Sequence, residues 1–422
     1  MKKVRQRPAP DKAALAAVFF PLAAAMYYFD EQSLHLGIDV LYKMIFAALI
    51  AALSFAVFLV KTDLERAGAL GKYFFLLVLP HLMALLVSIP LWGLNASPLA
   101  TVRRGVFAQL YCIAIILAGA GLLYVFGEAG LWLNLAAMLA ANLITLVGAV
   151  RASGIRQYAR ELGRLVATFG GEIGPAIGKA EINELTFALG LGLLFLLLTW
   201  KEAGSSRLFW PALVLTAFCF LSGFKRIGAF AIAVCLLAGL ALRALTGGRE
   251  NRRGWLLLFA AAVMLAAFAY VCLVRAGIFE FLERRLQIHT MGRQALSAFI
   301  EDYYSIGPDF LGRGAGFVSR LFSDLPGKYG PRALHNDILV LYIDLGFWGF
   351  WLWLLAFLPV RAWMVAKWQG IRGGCRCFCY CLFIFLTALT DNTIYYVYVM
   401  GAAALFTMGG HFQGKTAEGG AA

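Results

Sequence analysis

The sequence predicts an all-α fold, a polytopic membrane bundle of about 12 transmembrane helices with a partly helical loop on its outer side. Three observations predict it. First, 62% of the 422 residues are hydrophobic and 14% are charged, and the mean hydropathy is +0.78. Soluble domains run at about 45–50% apolar and about 25% charged. Second, the apolar residues fall in runs, most of them near the roughly 20 residues that a helix needs to cross a bilayer. Third, the basic residues gather in short connections on alternate sides of those runs, the bias that sets membrane orientation.

Taken in order, residues 1–12 (MKKVRQRPAPDK) are basic and contain proline, a cytoplasmic tail by that bias. The first apolar run, from Ala13, shows no convincing cleavage site and reads as a membrane helix rather than a signal peptide. Apolar runs cover 13–29, 38–60, 73–93, 105–126, 129–150, 185–200, 208–224, 227–245, 255–274, 337–360, 377–390 and 393–410. Residues 13–274 therefore carry helices one to nine, 275–336 a long outer loop, 337–410 helices ten to twelve, and 411–422 a second cytoplasmic tail. This map puts Lys61, Arg66, Lys72, Lys201, Arg207, Arg243, Arg249, Arg252 and Arg253 inside, followed by Arg361, Lys367, Arg372 and Arg376. Arg103 and Arg104 fall outside, against the bias. The two longest connections, 151–184 and 275–336, also fall outside, where the rule loses force.

The net charge of +14 and the pI near 9.5 follow largely from cations flanking membrane helices. No nucleic-acid module is present. The connections are too short for a nucleotide-binding domain, and no G-x-x-x-x-G-K-[ST] phosphate loop occurs. Of the eight cysteines, Cys112, Cys219, Cys235 and Cys272 lie in apolar runs as small hydrophobes. Cys375, Cys377, Cys379 and Cys381 alternate. On a helix only 375/379 and 377/381 share a face, a spacing unlike that of metal sites.

The outer loop 275–336 mixes apolar and charged residues. Ile278 to Leu286 has the pattern of an interfacial helix. From Gly292 a second amphipathic pattern sets Leu296, Phe299, Ile300 and Tyr303 on one face, with Arg293 at its start. A guanidinium beside free backbone N–H groups is an anion site; anchoring to lipid phosphate is the competing role. The segment Gly312-Arg313-Gly314-Ala315-Gly316 can expose successive N–H groups to a phosphate, or serve as a turn. Lys225-Arg226 precedes the run at 227, and Asp391-Asn392 separates the last two runs, both on the outer side of the map. Two cations at a membrane boundary are often only lipid anchors, yet charges at such depths are costly and point to function.

The outer loop ends at Pro331-Arg332-Ala333-Leu334-His335-Asn336-Asp337, directly before an apolar run. Asn336 or Asp337 can cap that helix. His335 then stands at the membrane–water boundary, where a neutral imidazole is suited to act as a general base. A histidine that merely tidies a helix start is the competing reading.

His335-Asn336-x-x-Leu339, followed by Gly346 and Gly349, resembles the signature of the O-antigen ligase/O-antigen polymerase superfamily of bacterial membrane glycosyltransferases. Arg293 is similar to that family's loop arginine, and Gly312-x-Gly314-x-Gly316-Phe317 to its glycine segment. Lys225-Arg226 resembles its Ser-Arg pair, with Lys225 in place of the serine, and Asn183 is similar to an asparagine after the earlier outer loop. The resemblance covers mainly residues 180–400.

It implies inverting transfer of a glycan from undecaprenyl pyrophosphate to an acceptor sugar hydroxyl, in the inner membrane, with no cofactor and no metal. His335 would be the catalytic base. Arg226, Arg293, Lys225 and Gly314 would bind pyrophosphate, with Asn336, Asp337 and Asp391 in support. The lack of a D-x-D motif agrees with a metal-free donor site. Implied partners are the lipid-linked glycan, an acceptor glycan or glycolipid, the bilayer, and a chain-length regulator or flippase.

Asn336-Asp337 and Thr390-Asp391-Asn392 point to a polysaccharide polymerase ahead of a ligase acting on lipid A core. A protein O-glycosyltransferase is a third option. Two other classes compete: a metal-dependent enzyme using Asp30, Glu31 and His35 of the first outer turn, and a lipid-linked glycan transporter, for which paired repeats are missing.

Overall fold

The computed structural model describes residues 11–32, 39–168, 174, 176–177, 183–203, 207–223, 225–286, 292–324 and 333–419. Secondary structure among them is helical throughout. The helices are α1 (Lys12–Gln32), α2 (Asp39–Val60), α3 (Leu64–Leu94), α4 (Leu99–Phe126), α5 (Ala129–Ser153), α6 (Ile155–Thr168), α7 (Asn183–Ala203), α8 (Phe209–Ser222), α9 (Arg226–Thr246) and α10 (Gly254–Arg275). The outer-loop region adds α11 (Ile278–Leu286), α12 (Arg293–Ile300) and α13 (Phe317–Ser323). Then come α14 (Asp337–Leu355), a π-turn (Ala356–Val360), α15 (Arg361–Ala388) and α16 (Val397–Gly419). Among the described residues, 7 helical stretches are long and apolar enough to cross a membrane, Asp337–Ala388 counting as one. Shorter apolar helices are Lys12–Tyr28, Glu184–Trp200, Phe209–Ser222 and Val397–Phe412.

The chain forms two compact units. The first comprises Met1–Phe75, Ala114–Ile232 and Gly401–Ala422; the second comprises Leu76–Ile113 and Ala233–Met400. In the first, α1 packs on α2 and α5. The Tyr27 hydroxyl donates to Asn134 Oδ1 at 2.9 Å, satisfying two polar groups in an apolar surround. Phe195 of α7 stacks on Phe406 at 4.6 Å. Helix α6 is amphipathic: Tyr158 and Leu165 pack on Leu146 and Ala149 of α5 and on Ile177. The Tyr158 hydroxyl donates to the Ser222 carbonyl at 3.2 Å.

In the second unit, α10 is the reference for direction. Arg253, just before α10, lies 6.0 Å from the Trp363 ring, and Phe268 meets Phe347 and Trp351 at 5.5 Å each. That stretch therefore runs antiparallel to α10. Glu250 then accepts from the Ile371 amide at 2.8 Å, Phe259 meets Phe378, and the Tyr270 hydroxyl donates to the Leu389 carbonyl at 2.7 Å. The return stretch runs parallel to α10. The reversal falls at Gly370, whose φ of 75° and ψ of 170° are non-helical and open to glycine.

The hydropathy reading ends the tenth run at 360 and assigns Arg361 to a connecting loop. The structure instead continues the helix to Gly370 and buries Arg361. Its guanidinium lies over Phe357 at 4.6 Å and donates to the Leu77 carbonyl, beside Pro80. A proline inside a helix frees backbone groups, and a neighbouring side chain can satisfy them at membrane depth.

Candidate active site

His335 occupies a left-handed backbone conformation, φ 50°, uncommon for a residue with a side chain. Leu334 before it is buried, and Asn336 after it caps α14, its Oδ1 accepting from the Leu339 amide at 3.1 Å. The imidazole is thus turned out at the mouth of the helix, 38% exposed, while its neighbours are anchored. Pro331 and Arg332 lie outside the described residues.

The imidazole faces one carboxylate. His335 Nδ1 lies 3.6 Å from Asp391 Oδ1. Asp391 is held from two sides: its Oδ1 accepts from the Tyr396 hydroxyl at 2.6 Å and from the Asn392 amide at 2.9 Å. A carboxylate facing Nδ1 favours the tautomer with the proton there, leaving the Nε2 lone pair as the basic position.

The turn carrying Asp391 is also bound by Arg293. Its Nη2 donates to the Thr390 carbonyl at 2.7 Å. Arg293 is the first residue of α12, so its guanidinium stands at the positive end of that helix. The Asn336 amide donates to the Tyr270 hydroxyl at 3.0 Å, and Tyr270 donates to Leu389, so α10, α14 and the turn are locked together. Asp337 is buried: its Oδ2 accepts from the Ile394 amide at 2.7 Å and the Tyr395 amide at 3.4 Å. Of the expected residues, the structure therefore joins His335, Asn336, Asp337, Arg293 and Asp391 in one network inside the second unit.

The glycine segment has another geometry. Gly312, Gly314 and Gly316 take φ of 102°, 89° and 88°. The Gly314 amide donates to the Asp344 carbonyl at 2.7 Å, and the Arg313 amide to the Ile343 carbonyl at 3.0 Å. The Gly316 and Val318 amides donate to the Asp344 carboxylate at 2.9 and 3.1 Å. The acceptor in this cradle is the chain's own buried Asp344. The segment docks where α14 breaks at Gly346 (φ 70°), and the Phe347 amide donates to the Phe310 carbonyl at 2.8 Å. The amide expected to meet pyrophosphate at Gly314 is thus committed within the fold.

Lys225 and Arg226 belong to the first unit, both half-buried, with the Lys225 ammonium 5.7 Å from the centre of the Phe187 ring. Asn183 opens α7, but its side chain, like those of Asp30, Glu31 and His35, lies outside the described residues. Cys377, Cys379 and Cys381 are buried, and Cys375 is half-buried. Cys379 pairs across helices with Cys235, each thiol donating to the other's carbonyl at 3.3–3.4 Å.

Two elements of this site escape the sequence reading. Tyr396 holds Asp391, yet an interfacial tyrosine looks like any other in an aromatic belt. Asp344 sits alone within an apolar run, and an intramembrane carboxylate is itself a signal.

The fold and site define a helical membrane protein with a histidine–carboxylate pair at a helix mouth. No protein-family model matches this chain, and no curated protein matches it.

Proposed function

We propose that this protein is a glycosyltransferase of the bacterial cytoplasmic membrane with about 12 crossings. It transfers a glycan from undecaprenyl pyrophosphate to an acceptor sugar hydroxyl by a metal-independent inverting route, in cell-surface polysaccharide synthesis. The observation that carries the reading is the 390–391 turn. It takes Arg293 on the Thr390 carbonyl and presents Asp391 to His335.

In the proposed step His335 Nε2 takes the acceptor hydroxyl proton, and the acceptor oxygen bonds to the anomeric carbon. The bond from that carbon to the pyrophosphate oxygen breaks, and its electron pair leaves with the pyrophosphate. Asp391 stabilises the imidazolium that forms. Arg293, bound to the same turn, offsets the charge on the leaving group. Lys225 and Arg226 supply anion binding in their own unit.

Polymerase is favoured over ligase by the residues flanking His335 and by the Thr390-Asp391-Asn392 turn. The test is turnover of a purified lipid-pyrophosphate-linked glycan by the chain in nanodiscs, with a second lipid-linked glycan and lipid A core as rival acceptors. Lengthened lipid-linked product supports polymerase, and modified lipid A core supports ligase. Translocation of the donor without a new glycosidic bond overturns the enzyme reading.

A further inference from the structure

The first unit carries a cavity of about 450 Å³ that the proposed reaction leaves unused. Asp63, Glu65, Arg66 and Lys72 line it from the start of α3, and His411 and Phe412 line it from α16. By the Lys/Arg bias this end of the unit is the cytoplasmic one.

The wall is fixed from several sides. Asp63 caps α3, its Oδ1 accepting from the Arg66 amide at 2.9 Å. Tyr124 of α4 holds the turn before the helix: its hydroxyl accepts from the Asp63 amide at 3.0 Å and donates to the Lys61 carbonyl at 2.7 Å. The Arg66 guanidinium lies 5.1 Å from the centre of the Phe412 ring. Gly127, between α4 and α5, stands against the same guanidinium with φ +62°, and a Cβ there would run into Arg66 Nη2. A side chain held in this way loses little further freedom when it meets a ligand.

Two cations, Arg66 and Lys72, and two carboxylates, Asp63 and Glu65, thus share one cavity. A simple anion would meet the carboxylates, and a simple cation would meet the guanidinium. A ligand that carries both signs matches the wall. The cavity sits where α3 begins its apolar span, the depth of lipid headgroups. Phe75, three residues beyond Lys72 on the same helix, is 68% exposed, an apolar surface for a hydrocarbon chain.

We propose that this cavity binds the headgroup of a zwitterionic phospholipid with a primary ammonium. The Arg66 fork takes the phosphate, and Lys72 adds its charge. Glu65, with Asp63 beside it, accepts from the ammonium. The proposal does not depend on the glycan-transfer reading.

The test is native mass spectrometry of the full chain in detergent. It is titrated separately with phosphatidylethanolamine, phosphatidylglycerol and phosphatidylcholine of identical acyl chains. Phosphatidylethanolamine should bind the wild type most tightly. Arg66→Gln should weaken that binding about tenfold, the scale of one lost charge-assisted hydrogen bond. Arg66→Lys should fall between the two, since lysine keeps the charge and loses the fork. Glu65 is exposed, so Glu65→Gln spares the fold and stays informative if the Arg66 variants are unstable. It should lower the preference for phosphatidylethanolamine over phosphatidylcholine about threefold, the scale of an exposed ion pair. Unchanged binding in Arg66→Gln, or an unchanged preference in Glu65→Gln, overturns the proposal. Equal wild-type affinity for phosphatidylglycerol and phosphatidylethanolamine also overturns it, by making the cavity a general lipid-phosphate anchor. Displacement of the lipid by equimolar soluble phosphoethanolamine overturns the lipid source and assigns the cavity to a soluble phosphate ester.

Discussion

His335 Nδ1 lies 3.6 Å from Asp391 Oδ1, and the same carboxylate oxygen accepts a 2.6 Å hydrogen bond from Tyr396. The distance exceeds a hydrogen bond and is close enough for the carboxylate to select the ring tautomer. In the proposed reaction Asp391 positions the imidazole and His335 meets the acceptor.

His335→Ala and His335→Gln should each lower glycan transfer by roughly 10²–10⁴-fold, the usual worth of a positioned base. Donor binding should persist in both. The measurement is single-turnover transfer with donor binding alongside. A glutamine variant at the wild-type rate would reduce His335 to a positioning role and move the search to Asp391. Asp391→Asn should lower the rate by less, because the asparagine oxygen still accepts from Tyr396.

Arg293 binds the Thr390 carbonyl and is proposed to meet the leaving group. Arg293→Ala should therefore lose more activity than Arg293→Lys, since lysine keeps the charge and loses the fork. The same order is expected at Arg226. Wild-type product from both alanine variants, at wild-type membrane levels, would remove these arginines from the reaction.

Asp344 accepts from the Gly316 and Val318 amides in a buried setting. Asp344→Ala leaves both amides without that acceptor, at about 1–3 kcal/mol each. Asp344→Asn keeps one oxygen and should cost about half as much. Thermal unfolding in detergent reads the difference. An unchanged midpoint for the alanine variant would show that the glycine segment is held by its other contacts alone.

Gly346 has φ +70°, and an added Cβ would run into the Leu311 backbone. Gly346→Ala should destabilise by at least the ~1–3 kcal/mol of a strained backbone position. Gly148, inside α5, is the control: a Cβ added there would meet nothing within 4 Å. Gly148→Ala should be neutral or gain about 0.5–1 kcal/mol from helix propensity. Unfolding midpoints that move the same way in both variants would contradict this account.

Glu250 pairs with Ile371 at the start of α10, whereas Arg320 donates to Thr101 in the layer beyond its C-terminal end. The two positions should open to opposite sides of the membrane. In a cysteine-depleted background, an impermeant maleimide applied to intact cells should label Arg320→Cys and spare Glu250→Cys. The reverse pattern would invert the orientation read from the Lys/Arg bias.

Much of the fold was legible because hydropathy is additive along the chain. Each apolar run read from the sequence overlaps a helix of the structure. The Asn336 cap was also legible, because capping is local: a side chain and an amide three residues apart. Arg361 was not, since its charge is satisfied by a carbonyl on a helix nearly three hundred residues away in the chain, and a hydropathy window sees only the charge.

The sequence by itself determined a helical membrane protein, with His335 at a helix mouth and Arg293 at the start of another helix. Those features depend on neighbours within a turn or two. Only the tertiary structure decided that the Thr390-Asp391 turn joins them, and that Asp344 fills the glycine cradle. It also decided that Arg66 lies over Phe412. Each of these pairings brings together residues far apart in the chain. Directional polar contacts of this kind form only once packing has fixed the helices that carry them.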